Sequence, residues 1–335
     1  ISMITGEPCT ADVVAKSPIR ALVLPVDAFD EMRLDHPEIE IALSQLVSDR
    51  LGYQARDALC GKKLDAYRPQ RCIGTGAMGV VYEATNESND SRCALKMLRH
   101  RFIYNPRVVS RFEQEVDLLR GLQHPNIVSM KGHFVAYKTR FMVLDLYNGT
   151  DLRALIRDTG PLDEETAKAV LGQIADGLRH AHQSGVLHLD LKPANILIDQ
   201  QGHVAITDFG LSKLIESDGC DSESVGTPLY MPPEQFTMTN VGTHCDTYAL
   251  GCIAFDLVMG ERLYGHHPSM ELVDLKFVEP YEDWPYIEAS TDYRDMVCDA
   301  VRPFVCDRKV DLDIIASWAR DVPELGKRLS KVQQR

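Results

Sequence analysis

The segment His188-Leu-Asp190-Leu-Lys192-Pro-Ala-Asn195-Ile-Leu-Ile198 gathers three chemically different groups within six residues. Moving a phosphoryl group onto a hydroxyl needs a carboxylate to orient the hydroxyl and accept its proton, a cation on the moving group, and a metal ligand. Asp190, Lys192 and Asn195 supply those three. Thirteen residues beyond Asn195, Asp208-Phe-Gly210 offers a harder oxygen ligand suited to a Mg2+ ion bridging phosphates. An isolated Asp-Phe-Gly triplet is a chance event in many chains; its position behind the first segment gives it weight.

Upstream, Gly74-Thr-Gly-Ala-Met-Gly79-Val-Val81 has the form G-x-G-x-x-G-x-V. Its glycines let the backbone turn tightly and approach phosphate oxygens with no Cβ in the way. The same glycine spacing occurs in dinucleotide-binding folds, where a helix should follow at once. Here the strand-like Val80-Val-Tyr-Glu-Ala84 follows, then a turn over Asn86–Asp90, then a second strand containing Ala94-Leu-Lys96. An ammonium among the apolar neighbours of Lys96 needs a carboxylate partner. Glu115 fits, on a predicted helix over Arg107–Leu122 whose apolar face includes Phe112, Val116 and Leu119. A surface lysine and a solvated glutamate are the commoner fate of such residues, and the flanking motifs outweigh it here.

The elements that must position these groups are ordinary for a soluble chain. Of 335 residues, 44% are hydrophobic and 25% charged, enough for a real core. A net charge of −13 argues against nucleic acid as a partner, since phosphate backbones are bound by clustered Lys and Arg. The 9 cysteines form no C-x-x-C pair, which argues against a zinc site of that type and reads as reduced thiols in the cytoplasm. The most apolar stretch, Tyr248–Met259, contains Asp256 and is too short to span a bilayer. The chain opens at Ile1 inside what reads as a folded unit, so further residues are expected before it.

Residues 10–24 predict two strands around Lys16-Ser-Pro18, Asp27 the cap of a short helix, and residues 37–59 an amphipathic helix built on Ile39, Leu43, Leu46, Val47 and Leu51. Gly61–Ala66 reads as a connector. Residues 68–146 alternate strands with one helix, and the chain beyond Gly149 reads as mostly helical, with loops holding Asp190, Asp208 and Thr227.

From about Tyr67 to Arg320 the chain resembles the eukaryotic-type protein kinases, closest to the bacterial Ser/Thr kinases. The resemblance implies an α+β bilobal fold: a β-rich small lobe over 68–146 and a helical large lobe over 147–322, with 61–67 as connector and 323–335 as tail. It implies ATP in a cleft between the lobes, Mg2+ (with Mn2+ as a substitute) on Asn195 and Asp208, and Ser/Thr hydroxyls of protein substrates as acceptors. Lys96, paired with Glu115, would hold the nucleotide phosphates beneath Gly74, Gly76 and Gly79, and Asp190 would be the catalytic base beside Lys192. Val81, Ala94 and Leu197 would cover the adenine. Leu144 would guard the pocket, Asp145 to Tyr147 would form the hinge, and Asp151 would complete the nucleotide site. In Gly226-Thr-Pro-Leu-Tyr-Met-Pro-Pro-Glu234, Thr227 would touch the catalytic Asp and Lys, Glu234 would pair with Arg308, and Asp246 would brace the catalytic loop.

Two departures stand out. The Arg that usually precedes the catalytic Asp is Leu189, which cannot pair with an activation-loop phosphate. The usual A-P-E triplet reads Pro232-Pro-Glu234. Two rivals share the fold. A nucleotide-binding pseudokinase or scaffold is disfavoured because Lys96, Glu115, Asp190, Asn195 and Asp208 are all present. Small-molecule kinases lack Lys192 and the 226–234 segment. Residues 1–60 resemble the C-terminal part of a cyclic-nucleotide-binding domain, a partial β-roll plus helices: Thr5-Gly-Glu-Pro-Cys-Thr-Ala-Asp-Val-Val14, then Ala21–Leu24, Phe29, His36-Pro-Glu38 and the long helix. The family's phosphate-gripping Arg falls at Cys9, so weak or absent cyclic-nucleotide binding is expected of a module that regulates or dimerises the chain.

Overall fold

The structure, a computed structural model, describes residues 14–36, 39, 57, 59–209, 229–237, 240–265, 276, 287, 289–319, 325–326 and 329. Two compact units are present, Ile1–Val116 with Met130–Leu146, and Asp117–Ser129 with Tyr147–Arg335.

The first unit is built on five antiparallel strands: β1 (Tyr67–Thr75), β2 (Gly79–Asn86), β3 (Arg92–Leu98), β4 (Met130–Ala136) and β5 (Thr139–Asp145), in spatial order β1-β2-β3-β5-β4. Side chains alternate along a strand, so each strand feeds two faces. Val80, Tyr82 and Ala84 of β2, Cys93, Leu95 and Met97 of β3, and Phe141 and Val143 of β5 share one face and make a buried cluster. The intervening residues Val81, Ala94, Lys96 and Leu144 therefore share the other face. The register places Val81 opposite Lys96 and Ala94 opposite Leu144.

The stretch read as a connector is part of this core. Leu59 and Leu64 are each 1% exposed within the buried cluster. Gly61 N–H donates to Pro69 O at 2.7 Å, and Leu64 N–H to Tyr67 O at 2.7 Å. Just ahead, Tyr82 Oη donates to Asp57 Oδ2 at 2.9 Å, and Asp57 Oδ1 accepts the Leu59 N–H.

Further toward the N-terminus two expectations change. Arg20–Leu24 forms no strand, and Leu22 and Val23 stand in solvent. Val and Leu favour strands only where a neighbour satisfies the backbone and covers the side chains, and no strand pairs with this run among the described residues. Helix α1 spans Val26–Asp35, but Pro25 occupies its cap position and makes no side-chain cap bond; Asp27 lies inside the first turn. The expected helix over 37–59 falls almost entirely outside the described residues, as do residues 1–13. Helix α2 runs Pro106–Gly121, close to its predicted span, and Asn105 Oδ1 caps it by accepting from the Arg107 and Val108 N–H groups.

The second unit rests on two long helices, α4 (Glu164–Gln183) and α6 (Thr243–Met259). Asp163 caps α4 by accepting from Thr166 N–H at 3.0 Å, and Val170, Leu171, Ile174 and Leu178 are fully buried. Helix α6 is buried along nearly its whole length and ends at Gly260, whose φ of 73° suits the residue that closes a helix. No helix among the described residues is long and apolar enough to cross a membrane. A three-stranded sheet of β6 (Gly149–Asp151), β7 (Ile196–Asp199) and β8 (Val204–Ile206) lies within this unit, which the sequence read as helices and loops without strands. Gly149 permits the β6–β7 approach, since a Cβ there would sit 1.9 Å from Ile198 O. Shorter helices are α3 (Leu152–Thr159), α5 (Pro233–Thr237), α7 (Thr291–Ala300) and α8 (Leu312–Ala316).

Candidate active site

In the first unit, Lys96 Nζ lies 3.0 and 3.3 Å from the two oxygens of Glu115. Strand β3 presents the lysine and α2 the glutamate, with side chains only 9% and 2% exposed. The glycine-rich turn joins β1 to β2, with Gly76 N–H donating to Gly79 O at 2.8 Å. Gly79 lies against β3, where an added Cβ would come within 3.0 Å of Met97 O. Two residues not foreseen from the sequence hold this turn. Arg99 Nε donates to Gly76 O at 2.9 Å and Arg101 donates to Ala77 O at 2.8 Å. Turning those carbonyls toward the arginines fixes the orientation of the peptide groups between the glycines. Leu144 is buried, whereas Asp145 is half exposed and paired with Lys131 at 3.2 Å.

In the second unit, the turn from Pro193 to Asn195 and strand β7 give the Asp190 segment its shape. Lys192 Nζ donates to Asp190 Oδ2 at 2.6 Å, and Asn195 Nδ2 donates to Asp190 O at 2.9 Å and to Oδ2 at 3.1 Å. Thr207 N–H donates to Asn195 O at 3.0 Å, which draws the Asp208 segment alongside. His188 and Phe209 complete that junction, their rings 4.7 Å apart. The predicted base, cation and two metal ligands are thus brought together, with Asp208 in a left-handed conformation at φ 62°.

Leu189 is also left-handed, at φ 60°, an unfavourable setting for a branched side chain. Its peptide is held from both sides. Asp246 Oδ1 accepts the Leu189 N–H at 2.8 Å, while Oδ2 accepts the His188 N–H at 3.0 Å and pairs with His182. Gln235 Nε2 donates to Leu189 O at 2.7 Å. Neither Gln235 nor His182 stood out in the sequence, because a single amide or imidazole carries no motif. Glu234 forms the expected bidentate pair with Arg308, at 2.6 and 2.9 Å, and is 7% exposed.

Three nucleotide-site expectations have mixed settings. Leu197 is half-buried on β7, opposite Asp151. Asp151 caps α3 by accepting from Ala154 N–H at 2.8 Å. Tyr147 has a buried hydroxyl, and burial pushes its pKa up. Thr227 lies outside the described residues.

The protein kinase domain family model matches residues 67–300. The chain belongs to that family. Among its relatives is the serine/threonine-protein kinase PknA of Mycobacterium tuberculosis, 33% identical over 64% of this chain and 51% of that protein. Serine/threonine-protein kinase PkaB of Streptomyces coelicolor is 37% identical over 62% of this chain and 52% of its own length. Serine/threonine-protein kinase PknH of Mycobacterium bovis is 32% identical over 68% and 38%. The chain spans about half the length of the first of these kinase relatives.

Proposed function

We propose that this chain is an ATP-dependent Ser/Thr protein kinase of the bacterial type, with Asp190 as the base that orients the acceptor hydroxyl. The observation that carries the reading is the convergence of Lys192 and Asn195 on Asp190 Oδ2. Two donors on one oxygen fix the carboxylate and leave Oδ1 for a substrate hydroxyl. To the nucleotide we assign the glycine turn, Val81, Ala94, Lys96, Leu144 and Asp145 in the first unit, and Tyr147, Asp151 and Leu197 in the second. Lys96 positions phosphate oxygens, with Glu115 holding the ammonium in place. Asn195 fits a metal ligand: its amide nitrogen is spent on Asp190, so its carboxamide oxygen is the atom left to coordinate. Asp208 supplies the charged oxygen. A divalent cation there would neutralise phosphate charge.

Asp190→Asn tests the assignment. The fold and nucleotide binding should persist while turnover on a Ser/Thr acceptor falls by roughly a hundredfold or more. Turnover equal to wild type would show that another group takes the proton, and phosphotyrosine as the main product would overturn the Ser/Thr assignment.

For residues 1–60 we propose, on sequence alone, a cytosolic regulatory or dimerising module related to cyclic-nucleotide-binding domains. With Cys9 where a phosphate-gripping Arg belongs, binding should be weakened by about a hundredfold. Calorimetry on the full chain should show no submicromolar cAMP or cGMP binding, with a gain in Cys9→Arg. Submicromolar binding by the wild type would defeat this reading.

A further inference from the structure

Lys276 is 1% exposed. Its Nζ donates to Leu229 O at 2.7 Å and to Met231 O at 2.6 Å. The same ammonium lies 4.8 Å from the centre of the Tyr264 ring, 5.2 Å from Tyr248 and 5.8 Å from Phe236. Aromatic faces attract a cation, and carbonyl oxygens accept its hydrogen bonds, so the site is built for an ammonium. Burying one is nonetheless costly, and a methionine would fill the same aromatic box without that cost.

What the ammonium holds gives the cost a purpose. Tyr230 and Met231 line a small cavity together with Asp190, Lys192, Leu189 and Gln235. Tyr230 is anchored through its hydroxyl to Asp256, and Gln235 reaches back to Leu189 O. Lys276 holds the backbone carbonyls of the residues on either side of Tyr230.

We propose that Lys276 is a positioning residue for the acceptor substrate. By holding the Leu229 and Met231 carbonyls it sets the wall of the cavity beside Asp190, and with it the approach of the acceptor chain. The inference rests on the protein kinase reading and adds to it a residue that no motif marks.

The test is Lys276→Met in the full chain, assayed with a Ser-containing peptide acceptor free of His and Cys. The KM for the peptide should rise about tenfold, as expected when one charge-assisted tether is lost, while the KM for ATP stays within about twofold. A folded variant with an unchanged peptide KM, or with both KM values raised alike, overturns the proposal. The pH profile of the wild type, set against that of the variant, gives a second measurement. Burial holds the Lys276 pKa down at about 8, so the charge is lost as pH rises through that value. The neutral amine keeps two N–H donors but loses both the charge assistance and the attraction to the rings. Peptide KM should therefore climb between pH 7 and 9 while ATP KM does not, and a flat peptide profile overturns the proposal.

Among the described residues, the groups facing Lys276 include Tyr248, Tyr264, Phe236, Cys252 and Arg308. Burial pushes the Cys252 thiol up to about 12 and both tyrosines above their usual range, so neither thiol nor phenol titrates in this window. Asp256, pushed up to about 7 by burial, reaches the segment through Tyr230. Its contribution is common to wild type and variant, so the difference between their profiles isolates Lys276. A wild type that hydrolyses ATP but phosphorylates no acceptor would instead defeat the kinase reading itself.

Discussion

At the scale of single residues, the Lys96–Glu115 pair shows how function is held against stability. Both side chains are nearly dry, at 9% and 2% exposure. Two desolvated charges recover through their attraction most of what they lose on leaving water, but one charge without its partner does not. Lys96→Met should therefore remove phosphate positioning and also take from the buried Glu115 the ammonium that both of its oxygens contact. We expect a loss of about 3 kcal/mol of stability for either single truncation, Lys96→Met or Glu115→Leu. The double variant should be more stable than either single and stay inactive, because replacing a buried pair with apolar groups of similar size is close to neutral. Urea denaturation of the four proteins measures this. Single losses that simply add in the double would show that the two side chains do not depend on each other.

At the scale of elements, legibility in the sequence followed from whether a residue's role is local. The G-x-G-x-x-G-x-V hairpin, the Lys96 strand and the Glu115 helix were readable because turn chemistry and side-chain period act over a few neighbours. The Asp190 and Asp208 segments were readable for the same reason. Arg99 and Arg101 were not: their role is to receive Gly76 and Ala77 carbonyls from a turn more than twenty residues earlier. Gln235 binds Leu189 across 46 residues, and Lys276 binds Leu229 across 47. Such contacts have no sequence signature without the fold that makes them. The Leu59–Leu64 stretch failed differently. Its Gly-Lys-Lys composition reads as a surface link, yet the two leucines flanking it are both in the core. Arg20–Leu24 is the converse, strand-forming residues that find no strand to pair with among the described residues. The small β6–β8 sheet was hidden by strands of only three or four residues, too short for a period to show.

At the scale of the whole molecule, the Asp190 segment must be held in one shape if it is to act as proposed. A phosphate on the loop after Asp208 would meet Leu189, which offers neither charge nor donor, where an Arg usually stands. The structure supplies other anchors for the same peptide. Asp246, buried at 1%, binds the His188 and Leu189 N–H groups, and Gln235 binds Leu189 O. These bonds keep Leu189 in its left-handed conformation without any added group. The stretch between Asp208 and Glu234 also carries Glu216, Asp218, Asp221 and Glu223, so a phosphate on Ser217, Ser222 or Ser224 would add like charge. Those serines lie outside the described residues, and the prediction rests on the anchors and the sequence. Alanine at all three should leave phosphorylation of a generic acceptor within about threefold of wild type, since no charge-assisted clamp is lost. Phosphatase treatment of the purified protein should have equally little effect. A large drop in rate after that treatment, restored on incubation with ATP, would mean that a phosphate does organise the site, and that its cationic partner lies somewhere other than position 189.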